Sequence, residues 1–180
     1  NALDLGCKRY GELVERFGED TLFIAIAELK ARSERLMRNH IASIPDGVYR
    51  CSDYMDNDGL DPEPLLIDLV MTVSGSDITF DLSGSDPACR GPFNSPYSST
   101  MSALMIGVKH VFEDVPINAG CFVPFRIIVP EGCMFNPRPP SPVSGTTTET
   151  AQRLVCVTMG ALAQAIPDRV PASPFGTGTN

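Results

Sequence analysis

Leu65-Leu-Ile-Asp-Leu-Val-Met-Thr-Val-Ser-Gly-Ser-Asp-Ile-Thr-Phe-Asp-Leu82 reads as two strands and the turn between them. Leu65, Ile67, Leu69, Met71 and Val73 fall on alternate positions, so one face of the first strand is apolar. Ser74-Gly-Ser-Asp77 is a hairpin turn, because glycine and small polar residues supply the tight backbone that a hairpin needs. Ile78, Phe80 and Leu82 then resume the alternation. A further strand, Val48–Met55, precedes this pair. Three strands in succession with one apolar face predict an antiparallel meander that buries that face.

Helices flank the meander on both sides. Before it, residues 4–17 carry Tyr10, Leu13, Val14 and Phe17 at helical spacing, and Gly18 suits a helix stop. A second helix runs from Glu19 to about Ser43, with the stripe Leu22, Ile26, Leu29, Leu36, Ile41 and Ile44. Acid at its start and Arg32, Arg35 and Arg38 late in it suit the helix dipole. Pro45-Asp46-Gly47 ends it, so the two helices predict a hairpin. After the meander comes an irregular loop through Ser83–Pro87 and Gly91–Pro96. A helix follows over 98–112, then a strand over Phe125–Val129, then a helix over 147–165 that Pro167 closes. The expectation is an α+β fold: a helical hairpin, an antiparallel sheet, and further helices packed on it.

The chain has 180 residues, 43% of them apolar, enough for one real core. We expect a single or partial domain over 1–180, a piece of a longer subunit. The net charge of −8 without any basic run argues against nucleic acid or an anionic membrane as partner. No apolar stretch approaches the roughly 20 residues that span a bilayer. Six cysteines, none in a C-x-x-C pair and with no secretory pattern before them, predict reduced and mostly buried thiols in a cytoplasmic protein.

Chemistry concentrates between residues 118 and 153. There a strand runs into the proline-stiffened Asn136-Pro-Arg-Pro-Pro140, and Thr146-Thr-Thr-Glu149 opens the last helix. That pattern fits a capping box, a hydroxyl at the N-cap and a carboxylate three residues on. It also fits a donor site, in which Thr146, Thr147 and Thr148 present hydroxyls and amides to a carbonyl or anion. Both readings stand at this point. Arg153 and Gln152, one turn along, add a cation and an amide. Asn94 and Asn118, in Gly/Pro-rich loops, are further binding candidates, with Arg90 and Asp86 beside the first. His40 and His110 lack the spacing of a metal site and read as helix-surface residues. Asp53-Tyr-Met-Asp-Asn-Asp-Gly59 fails as a calcium loop: with Gly59 at the sixth place, Tyr54 and Leu65 take ligand positions that need oxygen. Gly176-Thr-Gly-Thr179 lacks the lysine and the helix of a phosphate loop.

Several stretches together resemble the hydantoinase B/oxoprolinase family, which also holds the alpha-type subunits of acetone and acetophenone carboxylases. They are Ala42-Ser-Ile-Pro-Asp-Gly-Val-Tyr49, Asp53–Gly59, Phe80-Asp-Leu-Ser-Gly-Ser-Asp-Pro87, Arg90-Gly-Pro-Phe-Asn94, Asn118-Ala-Gly-Cys-Phe122, Asn136–Pro140, Glu149-Thr-Ala-Gln-Arg153 and Gly160-Ala-Leu-Ala-Gln164. They occur in the family's order across nearly the whole chain. The resemblance implies ATP-dependent opening of a cyclic amide or imide, such as a hydantoin or 5-oxoproline. ATP is then expected on a hydantoinase A-type partner that phosphorylates the carbonyl, while the B-type subunit completes hydrolysis, or carboxylation in the carboxylase branch. The family's His- and Asp-rich metal motifs precede this stretch, so a divalent metal is expected outside it. Where the family often has Gly-Gly-Asn, this chain has Gly145-Thr146-Thr147-Thr148, which implies its own substrate preference. On this reading Glu149 and Arg153 are the catalytic candidates. Asn94, Asn118, Thr146, Thr147, Thr148 and Gln152 are the substrate-binding ones. The alternative is a non-catalytic docking domain for the ATP-binding partner.

Overall fold

The computed structural model describes residues 1–174 and Gly176, so Thr177–Thr179 of the rejected phosphate loop lie outside the described residues. Helices α1 (Ala2–Phe17) and α2 (Glu19–Ile41) form the expected hairpin, hinged at Gly18 with φ 81°. Strands β1 (Gly47–Met55), β2 (Leu65–Ser74) and β3 (Asp77–Asp81) form the expected meander. Helix α3 (Tyr97–Val111) leads to a 3-10 turn at Ala119–Phe122 and to strand β4 (Phe125–Ile128). A wide turn at Thr146–Thr150 opens helix α4 (Ala151–Ala165).

The sheet corrects one expectation. Its order is β1-β2-β3-β4, but β4 joins β3 in parallel. A parallel neighbour requires the chain to cross back over the sheet, and α3 lies within that crossover. The fold class stands as α+β with a mixed sheet.

The inward faces follow the alternation in the sequence. Ile67, Leu69, Met71 and Val73 of β2 are buried, as are Ile78 and Phe80 of β3. Met37 and Ile41 of α2 and Leu154, Ala161 and Leu162 of α4 join them in one core. Helix α4 lies on β1 and β2, and α3 lies on α4. That second contact is close. A Cβ on Gly107 would stand 2.7 Å from the Thr158 Cβ, so only glycine lets the two helices meet there.

The ends of the molecule differ in burial. No residue of α1 is buried, and Leu3, Leu5, Phe23, Ile24 and Leu29 of the hairpin are each more than half exposed. His40, by contrast, is tied down: its Nε2 meets Asp114 at 3.0 Å and its ring stacks on Phe112 at 4.9 Å. All six cysteines are free. Cys121 and Cys133 are buried, Cys51, Cys89 and Cys156 are half-buried, and Cys7 is exposed. Burial pushes the thiols of Cys51, Cys89, Cys121 and Cys133 up, which disfavours their thiolates.

Candidate functional site

The start of α4 gathers most of the candidate residues, but the capping box does not form. The Thr146 hydroxyl donates to the carbonyls of Asn94 at 2.6 Å and Val143 at 2.7 Å. The Thr150 hydroxyl donates to the Phe93 carbonyl at 2.5 Å, and that of Thr148 to the Gly145 carbonyl at 3.2 Å. No side chain accepts from the free amides of the turn. A hydroxyl that donates into a neighbouring loop fastens the turn to that loop. The backbone answers with a π-helical turn rather than a regular α start.

The loop on the receiving side is a polar latch. Asn94 is fully buried, and its Nδ2 donates to the carbonyls of Cys89, Gly91 and Pro142 while its Oδ1 accepts from the Cys89 amide. Asp58, also buried, accepts from the amides of Leu60 (2.8 Å), Asp61 (2.7 Å) and Gly91 (2.7 Å). Those amides, Asp61's foremost, hold its carboxyl below the usual range. The acidic run that imitated a calcium loop therefore clamps two loops together. Gly91 presses so close that a Cβ there would fall 1.7 Å from the Asp58 carbonyl oxygen. Asp86 does similar work, accepting from the Leu66 amide at 2.7 Å, and Arg90 pairs with Asp61 at 2.9 Å.

Asn118 lies elsewhere. It caps the 3-10 turn through the Gly120 amide at 2.9 Å and donates to the Ser33 hydroxyl at 2.8 Å, stapling that turn to α2. Both side-chain amides are engaged within the fold, Asn94 fully buried and Asn118 half-buried.

Glu149 and Arg153 do share a hollow. They line a cavity of about 270 Å³ with Met55, Asp56, Asn57 and Phe93. Arg153 is not a free cation: its Nη1 meets Asp53 Oδ2 at 3.0 Å. Gly176, at φ 83°, lies against the same guanidinium. Glu149 is half-buried and makes no side-chain hydrogen bond or ion pair among the described residues. Thr147 and Gln152 face away from this cavity. Thr147 lines a hollow of about 270 Å³ with Ser98 and Ser102 of α3, and Gln152 lines one of about 470 Å³ with Ile106 and His110.

Sequence reasoning missed Asp56, which lines the cavity, and Asp53, which pairs with Arg153 beside it. A signal for Asp53 was present. It falls on the inward set Tyr49, Cys51, Asp53 and Met55 of β1, paired in register with Ile67. A carboxylate on a core-facing position needs a partner, and the helix above supplies Arg153.

Among the described residues, no group of three His, Cys, Asp or Glu is arranged to hold a metal ion. The turn that opens α4 has no lysine, and its hydroxyls point to carbonyls. No helix among the described residues is long and apolar enough to cross a membrane.

A family model described as hydantoinase B/oxoprolinase matches residues 1–180. The B-type subunit of a putative D-/L-hydantoinase from a Pseudomonas species is 33% identical over 183 residues, covering 95% of this chain and 31% of that protein. The crystal structure of an ATP-dependent caprolactamase from Pseudomonas jessenii superposes with a TM-score of 0.83 at 27% identity, over 92% of this chain and 29% of that one. An acetone carboxylase in its nucleotide-free structure superposes with a TM-score of 0.79 at 16% identity, over 92% of this chain and 24% of that one, a likeness of fold. The chain thus spans 31% of the hydantoinase polypeptide it matches.

Proposed function

The chain belongs to the hydantoinase B/oxoprolinase family, and from that membership we propose that it forms one wall of the hydrolysis site in an ATP-dependent enzyme acting on a cyclic amide or imide. The activating phosphorylation belongs to an ATP-binding partner of the hydantoinase A type. The family includes ATP users, and the relatives' names speak of hydantoin and caprolactam rings.

The observation that carries the reading is the pairing of Glu149 with Arg153. They stand four residues apart on one helical face and line one cavity, and Glu149 has no partner among the described residues. A carboxylate with unspent acceptor capacity beside an open hollow can orient a water and take its proton. Arg153, anchored on one side by Asp53, keeps further N–H donors for a carbonyl or a developing oxyanion. An amide resists attack, so removing its carbonyl character and stabilising the charge that develops both lower the barrier.

The test is kinetic, in the full-length subunit assembled with its partner. Glu149→Gln and Arg153→Ala should each lower kcat by roughly 10²–10³-fold while the unfolding midpoint stays near that of the parent. Unchanged kinetics in both would remove this cavity from the reaction.

A second reading, a docking domain for the ATP-binding partner, has its own support. The α1–α2 hairpin leaves Leu3, Phe17, Phe23, Ile24 and Leu29 exposed, and an apolar surface of that kind calls for a protein cover. The two readings are compatible, because docking and chemistry would use opposite parts of the chain order. Polar substitution of Ile24 and Leu29 should release the partner from the complex if docking is right. An intact complex would leave the hairpin without that role.

A further inference from the structure

The turn that opens α4 is fastened to one short stretch of loop. Three consecutive carbonyls, those of Pro92, Phe93 and Asn94, accept respectively from the Gly145 amide at 2.9 Å, the Thr150 hydroxyl at 2.5 Å and the Thr146 hydroxyl at 2.6 Å. Both threonines are buried. Between these anchors the backbone is widened. The Ala151 amide reaches back five residues to the Thr146 carbonyl, where a regular helix reaches four. Glu149 lies in that widened turn, directly before Thr150, and borders the cavity with Arg153. Phe93 joins the two sides: its carbonyl receives the Thr150 hydroxyl, and its ring lines the same cavity. The ring is wedged against the turn, since a Cβ on Gly145 would collide with its Cδ1.

Resting on the reading of this cavity as part of the hydrolysis site, we propose that Thr150 is a positioning residue of that site. Its hydroxyl holds the widened turn on the Phe93 carbonyl and so fixes where the Glu149 carboxylate stands relative to Arg153. Thr150 touches no reacting atom; it acts through Glu149. The physical warrant has two parts. A threonine side chain has few rotamers, so a buried hydroxyl that donates to a fixed carbonyl also fixes the backbone that carries it. The Phe93 carbonyl is fixed in turn, because the next side chain, Asn94, is bonded to the backbone at Cys89, Gly91 and Pro142. A general base must stand within hydrogen-bond reach of its water, and a misplacement of about 1 Å can cost about 10²-fold in rate. Without the hydroxyl the turn is free to relax toward the regular helical ladder, which rotates Glu149 about the helix axis.

Thr150→Val keeps the shape of the side chain and removes the donor. In the full-length subunit assembled with its partner it should lower kcat by about tenfold and leave KM within about twofold of the parent. Thr150→Ser returns the hydroxyl and should bring kcat back to within about threefold of the parent. The deciding readout is coupling. In the Glu149→Gln background Thr150→Val should lower kcat by less than about twofold, since residues that act as one unit are not additive. If Thr150→Val does not fold, Thr146→Val cuts the neighbouring bond of the same turn and carries the same expectations. A folded variant with kcat within about twofold of the parent, or one whose loss adds in full to that of Glu149→Gln, overturns the assignment. Failure of the underlying site would look different. Glu149→Gln and Arg153→Ala would then leave turnover unchanged, whereas failure of this inference alone leaves those two variants impaired and Thr150 uncoupled from Glu149.

Discussion

Asn94 and Glu149 both meet the turn that opens α4, and the comparison separates structure from chemistry. Asn94 is buried and spends its side-chain amide on four backbone partners. Asp58, Thr146 and Thr150 around it are likewise buried and likewise bonded. Among the described residues no buried side-chain nitrogen or oxygen lacks a partner. Glu149 is half-buried, borders a cavity, and has no partner among those residues. Burial with full satisfaction marks a group that holds the fold. Partial burial with unspent bonding capacity marks one that can act. Within Asp53–Gly59 and Arg90–Asn94, Asp58 and Asn94 serve the latch, whereas Asp53 pairs with Arg153 and Asp56 and Asn57 line the cavity.

The largest expected effect lies on the latch side. Asn94→Ala strands the Cys89 amide and three carbonyls in a buried place. Each buried group left unpaired costs about 1–3 kcal/mol, so a loss of roughly 3–5 kcal/mol is expected. Urea unfolding should show a lower midpoint. A loss below about 1 kcal/mol would mean that water or slack backbone replaces the side chain, and the contrast with Glu149 would weaken.

How much of this was legible beforehand divides along the same line. Local period gave the strands: the alternation from Leu65 to Val73 became the buried face of β2. The helical hairpin followed from Gly18 and from apolar spacing. The parallel place of β4 was not legible, because pairing across a long crossover is settled by packing and leaves no periodic trace. Thr146-Thr-Thr-Glu149 misled for a related reason. The spacing of a capping box was present, but a carbonyl 52 residues away competed for the hydroxyl and won. Asn94 and Asn118 were legible as important but not as satisfied. Only the fold shows which backbone and side-chain groups each of them bonds.

Asp58 offers a smaller test of the latch through pH. The Asp61, Leu60, Gly91 and Arg90 amides lower its pKa in the folded chain, while in the unfolded chain it titrates near about 3.9. A lowered folded value means that the stabilisation is complete above about pH 5 and is lost as pH falls through about 4 toward the folded value. Asp58→Asn removes this limb. The stability gap between wild type and variant should be widest at neutral pH and should narrow below about pH 4. A gap that stays constant down to about pH 3 would show that shape, not charge, sets the role of Asp58.

The smallest expected effect falls on Thr147 and Gln152, and it sharpens the comparison from the other side. Both sit within the same short stretch as Glu149 and Arg153, so the sequence alone ranks them together. Helical geometry parts them. Glu149 and Arg153, four residues apart, share one face, and Thr147 and Gln152 point toward α3 into separate hollows. Thr147 is exposed, and the amide of Gln152 makes only a long bond, 3.3 Å, to the Thr147 carbonyl. Neither fills a core position nor satisfies a buried group. Thr147→Ala and Gln152→Ala should therefore change stability by no more than about 0.5 kcal/mol and leave kcat within about twofold of the parent enzyme. If Gln152→Ala were to cut turnover as deeply as Arg153→Ala, substrate would have to reach the α3 side of the helix. The reacting ring would then belong in the groove beside Ile106 and His110, and the Glu149 cavity would be left as a structural hollow.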